Sequence, residues 1–243
     1  MTAPHISVVM PAYNEADILA TSVKDVVAGL RERGEEFEVL IVENGSTDGT
    51  LAIAEQLATE LPEVRVEHRT EADYGRALRH GLLAATGDAV VNFDTDYFEL
   101  DFATAAVAKV LAPGGPAIVV GSKRAAGSSD TRAPLRKVAT WVFSTILRLA
   151  FGLRVSDTHG MKAMNRAAVR PYAERCFSGQ DLFDTELILR IERAGLGTAE
   201  IPVAVHELRP ARSSFLSRVP RTLRGLCTLR IALWKEARAA RRS

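Results

Sequence analysis

Cysteine is scarce in this chain of 243 residues, which contains only Cys176 and Cys227. Two cysteines so far apart form neither a disulfide framework nor a metal-binding spacing, so we expect a reducing, cytoplasmic setting. The first residues also lack a basic segment followed by an apolar one, since the apolar run 6–10 is too short for a secretory signal. These absences argue against a disulfide-stabilised secreted domain.

No apolar run is long enough to cross a bilayer. The uncharged stretch 138–147 has ten residues, whereas a membrane-spanning helix needs about 20. Residues 134–153 are therefore predicted to form either a buried helix or a helix that lies at a membrane face. Any membrane contact is expected to be peripheral.

Charge is unevenly distributed, although the net charge is only +1. From Leu208 onward the chain has ten Lys or Arg residues and a single acid, Glu236. Residues 216–242 are predicted to form a basic amphipathic helix, which either binds an anionic membrane surface or packs on its own domain. Basic and aromatic residues are not interleaved as in nucleic-acid-binding proteins, so no nucleic acid is expected. We divide the chain into a domain over 1–212 and a basic helical segment over 213–243.

Hydrophobic periodicity predicts alternating strands and helices, which favours an α/β fold with a doubly wound, mostly parallel, Rossmann-like sheet. The predicted strands are residues 6–10, 37–42, 64–66, 89–93, 118–121 and 198–208. The predicted helices outside the two segments above are residues 16–32, 50–61, 76–85, 102–111, 166–172 and 182–194. Pro202 within the last strand predicts an edge or bulged position.

Two carboxylates separated by one residue, Asp94 and Asp96, follow the buried strand 89–93. In open α/β sheets, ligands bind beyond the carboxyl ends of the strands. Two hard oxygen ligands suit Mg²⁺ or Mn²⁺, which also takes oxygens from substrate phosphates. The pattern therefore predicts a divalent metal held between the chain and a diphosphate.

Three further motifs follow the preceding strands: Pro11-Ala12-Tyr13-Asn14-Glu15, Glu43-Asn44-Gly45-Ser46-Thr47-Asp48-Gly49-Thr50 and Tyr74-Gly75-Arg76-Ala77. With the carboxylate pair, they resemble the nucleotide-sugar half of the inverting GT-A glycosyltransferases of family 2. The family motifs run P-x-Y-N-E, V-D-D-G-S-x-D-G-T and D-x-D. Asn44 departs from the second motif because it replaces a carboxylate, and an amide can donate as well as accept hydrogen bonds.

The resemblance extends to about residue 215 and points to the polyprenyl-phosphate branch, which includes dolichyl-phosphate glucose and mannose synthases. Residues 119–124 are similar to its G-S-R stretch, 157–162 to D-T-x-x-G-F-K, 183–187 to F-D-x-E-L and 200–203 to E-V-P-V. The implied activity is transfer of a hexose, with inversion, from a UDP- or GDP-sugar to a polyprenyl phosphate. The implied location is the cytoplasm, at the inner face of the cell membrane.

The resemblance also implies roles for individual residues. Asp94 and Asp96 would hold the metal. The implied nucleotide-sugar-binding residues are Pro11, Tyr13, Glu15, Glu43, Asn44, Gly75, Arg76 and Asp94. The implied catalytic residues are Asp96, Asp157, Asp184 and Glu186. Arg124, Arg136 and Ser214 would bind the acceptor phosphate, because guanidinium groups bind phosphate bidentately.

Two alternatives stay open at this stage. A hydroxyl acceptor, such as a glycan or a natural product, would need a carboxylate as general base, whereas a phosphate needs little or none. Asp157, Asp181, Asp184 and Glu186 are available for that role. The second alternative is a non-catalytic module that binds nucleotide sugars, which the bulky residues Tyr97 and Phe98 after the carboxylate pair would suit.

Overall fold

The structure, a computed structural model, describes residues 5–122, 129–130, 134–155, 158, 160–205 and 215–240. The strands are β1 (Ile6–Ala12), β2 (Phe37–Asn44), β3 (Val64–Arg69), β4 (Ala89–Asn92), β5 (Ile118–Ser122), β6 (Ser129–Asp130), β7 (Lys162–Asn165), β8 (Thr198–Pro202) and β9 (Ala204–Val205). The helices are α1 (Leu19–Glu32), α2 (Thr50–Glu60), α3 (Tyr74–Ala84), α4 (Leu100–Leu111), α5 (Pro134–Phe151), α6 (Arg166–Arg175), α7 (Phe183–Arg193) and α8 (Phe215–Ala240). A short 3₁₀ helix, Gln180–Leu182, precedes α7.

Seven strands form one sheet in the order β3-β2-β1-β4-β7-β5-β8. Neighbouring strands are parallel except for β7, which is antiparallel to both β4 and β5. The predicted doubly wound, mostly parallel sheet is therefore confirmed. Pro202 ends the edge strand β8, so the predicted edge position is also confirmed. Beyond Pro202, Ala204–Val205 pairs with Ser129–Asp130 in a separate two-stranded sheet.

Strand β7 was missed by the sequence analysis. It has only four residues and begins with Lys162, which interrupts the apolar pattern expected of a central strand. Lys162 is nevertheless only 1% exposed. Its charge is compensated inside the domain, as described below.

Strands β1, β2 and β4 are buried on both sides, because helices cover both faces of the sheet. On one face, α1 and α4 contribute Val23, Phe102 and Val107 to the first core. On the other face, α3 and α7 contribute Leu78 and Leu187 to the second core.

Helix α8 packs into that second core through Leu226, Leu229 and Leu233, which are at most 4% exposed. Its opposite side exposes Leu223, Ile231 and Trp234. Of the two alternatives predicted for this helix, packing on its own domain is therefore observed for one of its faces.

Helix α5 also presents two kinds of surface. It buries Leu147 in the second core and exposes Val142 and Leu149. None of the described helices combines the length and apolar composition needed to cross a bilayer.

Candidate active site

The carboxyl ends of β2, β1 and β4 lie side by side and form one rim of the sheet. Ala12 is in register with Glu43, and Val9 is in register with Asn92. The loops after these strands hold the motifs singled out from the sequence, so the topology brings them to one edge. We call this edge, with Tyr74 and Gly75 at the start of α3, the rim.

Direct hydrogen bonds join the loops after β1 and β2. The Asn14 amide donates to Ser46 Oγ over 3.0 Å, and the Thr47 amide donates to Asn14 Oδ1 over 2.8 Å. The Glu15 amide donates to Thr50 Oγ1 over 2.8 Å. Asn14 has a φ of +54°, a left-handed conformation that asparagine tolerates better than most residues. The two loops therefore form one preformed surface, beside which Tyr13 is 44% exposed.

Glu43 is fully buried beneath this surface. Its Oε1 accepts a hydrogen bond from the Ser46 amide over 2.6 Å, and its Oε2 lies 2.5 Å from His68 Nδ1. Burial by itself would raise the pKa of Glu43, but these hydrogen bonds outweigh burial and hold it below its usual value. Glu43 therefore stays ionised and organises the loop. Pro11, buried in β1, is part of the same floor.

Asn44 and Asp73 connect the rim to the second half of the chain. Asn44 Oδ1 accepts a hydrogen bond from the Asp73 amide over 3.0 Å. The Asp73 side chain caps α3 by accepting from the Arg76 amide over 2.9 Å and also accepts from the Gln180 amide over 2.6 Å. Gly75 is required here because a Cβ would lie 2.5 Å from the Gln180 carbonyl oxygen. Gly75 thus permits close packing of α3.

Tyr74 and Asp94 meet directly at the rim. The Tyr74 hydroxyl donates to Asp94 Oδ1 over 2.9 Å. Although Tyr74 is 36% exposed, desolvation and the charges of Asp94 and Asp184 hold its pKa well above its usual range. Tyr74 is therefore a constant hydrogen-bond donor at neutral pH.

Asp94 and Asp96 are held in a tight turn, since the Asp94 and Tyr97 backbones bond to each other in both directions. Asp94 is half-buried and Asp96 is exposed. No cluster of three or more His, Cys, Asp or Glu suited to a metal occurs among the described residues. Two carboxylates beside open space still fit Mg²⁺ or Mn²⁺, which usually binds one or two carboxylates and takes further oxygens from phosphates and water.

The bulky residues after the carboxylate pair fill the core rather than the rim. Tyr97 and Phe98 pack against the first core. The Phe98 ring lies 6.0 Å from that of Phe93. These residues therefore leave Asp96 exposed.

Asp184 lies in the first turn of α7 and is 5% exposed. Its Oδ2 lies 3.1 Å from Lys162 Nζ, which also donates to the Gly160 carbonyl over 2.7 Å. Next to it, the hydroxyls of Thr158 and Thr185 are 3.1 Å apart. Sequence analysis had not assigned Lys162 a role. A lysine among apolar residues was the available signal, because buried lysines are almost always paired.

Glu186 points elsewhere. It is fully buried, and its Oε2 accepts from the amides of Phe177 and Ser178 over 3.1 and 2.8 Å. Its Oε1 accepts from Arg190 over 2.8 Å, and Arg190 also pairs with Glu236 of α8. These contacts make Glu186 a residue that positions the loop after α6 and anchors α8.

Arg76 is not brought to the carboxylate pair. Its side chain is exposed and lies 3.4 Å from Glu71, and it lines a cavity outside the rim. Several other predicted site residues lie outside the described residues: Arg124, Asp157 and Ser214. The side chains of Arg136 and Asp181 also lie outside them.

Comparison with known proteins adds independent information. A sequence profile described as glycosyl transferase family 2 matches residues 7–172. Over 202 residues the chain is 31% identical to glycosyltransferase AglD of Haloferax volcanii. The matched region covers 82% of this chain but only 32% of AglD. It is 25% identical over 249 residues to the dolichyl-phosphate beta-glucosyltransferase of Saccharomyces cerevisiae, covering 93% of this chain and 74% of the relative. It is 28% identical over 207 residues to the undecaprenyl-phosphate mannosyltransferase of Micrococcus luteus, with 82% of both chains covered.

Solved structures with the same fold include glucosyl-3-phosphoglycerate synthase from Mycobacterium tuberculosis. Its complex with Mn²⁺ and uridine-diphosphate-glucose has a TM-score of 0.69 at 24% identity, covering 93% of this chain and 79% of that chain. Its complex with Mg²⁺ and uridine-diphosphate has a TM-score of 0.63 at 23% identity, covering 89% of this chain and 74% of that chain. The predicted GT-A fold is confirmed.

Proposed function

Because the chain belongs to glycosyl transferase family 2, we propose that it transfers a hexose, with inversion, from a UDP- or GDP-sugar to a polyprenyl phosphate. The main support is the rim, where Tyr74 fixes Asp94 beside the exposed Asp96. The relatives named for dolichyl-phosphate and undecaprenyl-phosphate transfer support the acceptor.

The joined loops after β1 and β2 would bind the nucleoside. Tyr13, which is exposed beside them, would stack on the base. Glu15 and Asn44 would complete the surface, with Glu43 holding it in shape from below. A preformed surface costs less ordering entropy when the donor binds.

A divalent cation held by Asp94 and Asp96 would neutralise charge on the diphosphate leaving group as the sugar–phosphate bond breaks. Tyr74 directs one oxygen of Asp94. Asp96 is exposed. Asp94 would therefore be an oriented ligand of the metal, and Asp96 an accessible one.

The pairing of the buried carboxylates favours a phosphate acceptor over a hydroxyl acceptor. Asp184 is paired with Lys162, and Glu186 is bonded to Arg190 and to loop amides. Neither is placed to accept a proton from a hydroxyl, and an ionised phosphate oxygen does not require one. Arg124, Arg136 and Ser214 remain our candidates for binding the acceptor phosphate, and Asp157 our candidate for catalysis.

The exposed face of α8 would contact the membrane that contains such an acceptor. Leu223, Ile231 and Trp234 are 45%, 53% and 56% exposed. Arg238 lies 5.3 Å above the Trp234 ring, and the exposed Arg230 lies 5.8 Å from the Phe151 ring of α5. Apolar residues flanked by arginine suit an anionic lipid surface, where each basic residue contributes about 1 kcal/mol.

Transfer is tested with purified protein, UDP-glucose or GDP-mannose, and undecaprenyl phosphate in detergent. We expect a lipid-linked β-hexosyl phosphate with one of the two donors, formed with Mn²⁺ or Mg²⁺ and abolished by EDTA. Thermal unfolding with UDP or GDP and the metal identifies the base, because a ligand that binds only the folded state raises its stability. Absence of any metal-dependent shift with either nucleotide would overturn the donor site.

The acceptor and the membrane contact have separate outcomes. Transfer to soluble alcohols but not to polyprenyl phosphate would replace the proposed acceptor with a hydroxyl compound. Nucleotide binding without turnover on any acceptor would indicate a binding module. Co-sedimentation with vesicles containing anionic lipid should be lost in Trp234→Ser and retained with Tyr172→Phe, which alters a partly buried residue elsewhere. Equal binding by both variants would contradict the membrane contact.

A further inference from the structure

A cavity of about 360 Å³ lies next to α3, outside the rim. Arg76, Arg79, His80 and Leu83 line it, and their spacing of three, four and seven residues places them on one face of the helix. Tyr74 points to the opposite face and to Asp94. The cavity is therefore separated from the carboxylate pair by the body of α3.

The lining of the cavity contains three arginines, of which Arg76 also contacts Glu71 and Asp73. Arg69, at the end of β3, joins Arg76 and Arg79 in its lining, and none of the described residues that line it is acidic. The Nε atom of Arg69 is buried and has no hydrogen-bond partner among the described residues. A buried guanidinium N–H without a partner is costly, so it indicates a group that the cavity is built to receive.

Two further features fix the walls in advance. Arg79 donates from Nε to the Ala173 carbonyl and from Nη2 to the Glu174 carbonyl, each over 2.8 Å. Its guanidinium is thus held in place, with its second terminal nitrogen left for a ligand. The lining also contains Phe177 and Ser178, whose amides donate to the buried Glu186.

We propose that this cavity binds a phosphate group, either as inorganic phosphate or as part of a small phosphorylated metabolite. Planar guanidinium groups match the geometry of phosphate oxygens and bind them bidentately. A volume of about 360 Å³ accommodates a small metabolite. The site is a second anion site of the domain, separate from the donor diphosphate.

The experiment measures unfolding temperature and calorimetric binding with inorganic phosphate and, in a second arm, glycerol 3-phosphate, at constant ionic strength. Wild-type protein should bind saturably. Arg69→Gln and Arg76→Gln should each weaken binding at least about tenfold, because each removes a charge-assisted contact. Arg154→Gln removes an exposed arginine elsewhere and should leave binding unchanged.

Each outcome has a defined meaning. Tighter binding of glycerol 3-phosphate identifies a phosphorylated metabolite as the ligand, and tighter binding of inorganic phosphate identifies the free anion. Equal weakening in Arg154→Gln, or no saturable binding by the wild type, overturns the site. Competition by UDP with Mn²⁺ would overturn its separateness from the donor site. Binding is measured without an acceptor, so the result is independent of the transfer reaction.

Discussion

Two acid-threonine-acid triplets, residues 94–96 and 184–186, have the same spacing but opposite environments. The first lies in a turn after β4, where Asp96 is exposed. The second lies in the first turn of α7, where both acids are at most 5% exposed and point to different basic partners. We propose only the first pair as a metal site, because its turn leaves Asp96 exposed, whereas both acids of the second pair are buried. In a helix, the same spacing directs them apart.

Glu186→Gln should have the largest effect on stability. The substitution removes the charge that faces Arg190 and weakens the acceptor for the Phe177 and Ser178 amides. Breaking a buried ion pair costs about 3 kcal/mol, so we expect a loss of about that size in urea unfolding. Glu174→Gln, which breaks the exposed pair with Arg170, should cost less than about 1 kcal/mol. Equal losses in both variants would contradict the distinction between the triplets.

Asp96→Ala should have the largest effect on activity. Loss of an outer-shell metal partner costs about 10- to 100-fold, so loss of a direct ligand should lower the transfer rate at least about 100-fold. Because Asp96 is exposed, the free energy of unfolding should change by less than about 0.5 kcal/mol. Asp25→Ala, at an exposed position of α1, is the matched control. A stability loss as large as that of Glu186→Gln would show that the first triplet is also structural.

Tyr74→Phe should have an intermediate effect on activity. The hydroxyl orients Asp94, and a hydrogen bond to a charged group contributes about 1.5 kcal/mol. We therefore expect about a tenfold higher KM for Mn²⁺ in the transfer assay, with a smaller change in kcat. Tyr172→Phe controls for loss of a phenol outside the rim. An unchanged KM for the metal would mean that Tyr74 does not position its ligand.

Glu43→Gln should have the smallest effect of the four substitutions, a change in how the free energy of unfolding depends on pH. Glu43 has a lowered pKa in the folded protein, so its ionised form stabilises the fold above the unfolded value near 4.5. That contribution is lost as pH falls below this value. The free energy of unfolding is measured in urea at pH values from about 3 to about 6, the range over which this carboxyl titrates. As the pH is lowered, this free energy should fall less steeply for the variant than for the wild type. A variant curve parallel to the wild-type curve would contradict the lowered pKa.

Much of the first half of the fold was predictable because its strands are apolar and its helices are periodic. Strands β1 to β4 and the rim follow from that alternation. Strand β7 was not predictable, since the partner that makes Lys162 tolerable, Asp184, lies far along the chain. The resemblance of residues 183–187 to a family motif implied catalytic roles for Asp184 and Glu186, whereas the described contacts of Glu186 are with Arg190 and with loop amides.

The insertion of β7 between β4 and β5 also determines the order in which the protein can form during synthesis. Until Asn165 has emerged, one edge of β4 has no neighbouring strand. An unpaired apolar edge is a template for association with other chains. Because this pairing is non-local, its closure is entropically delayed. A nascent chain that stops before β7 therefore exposes one edge of the apolar strand β4, and the second half of the chain protects that edge from association.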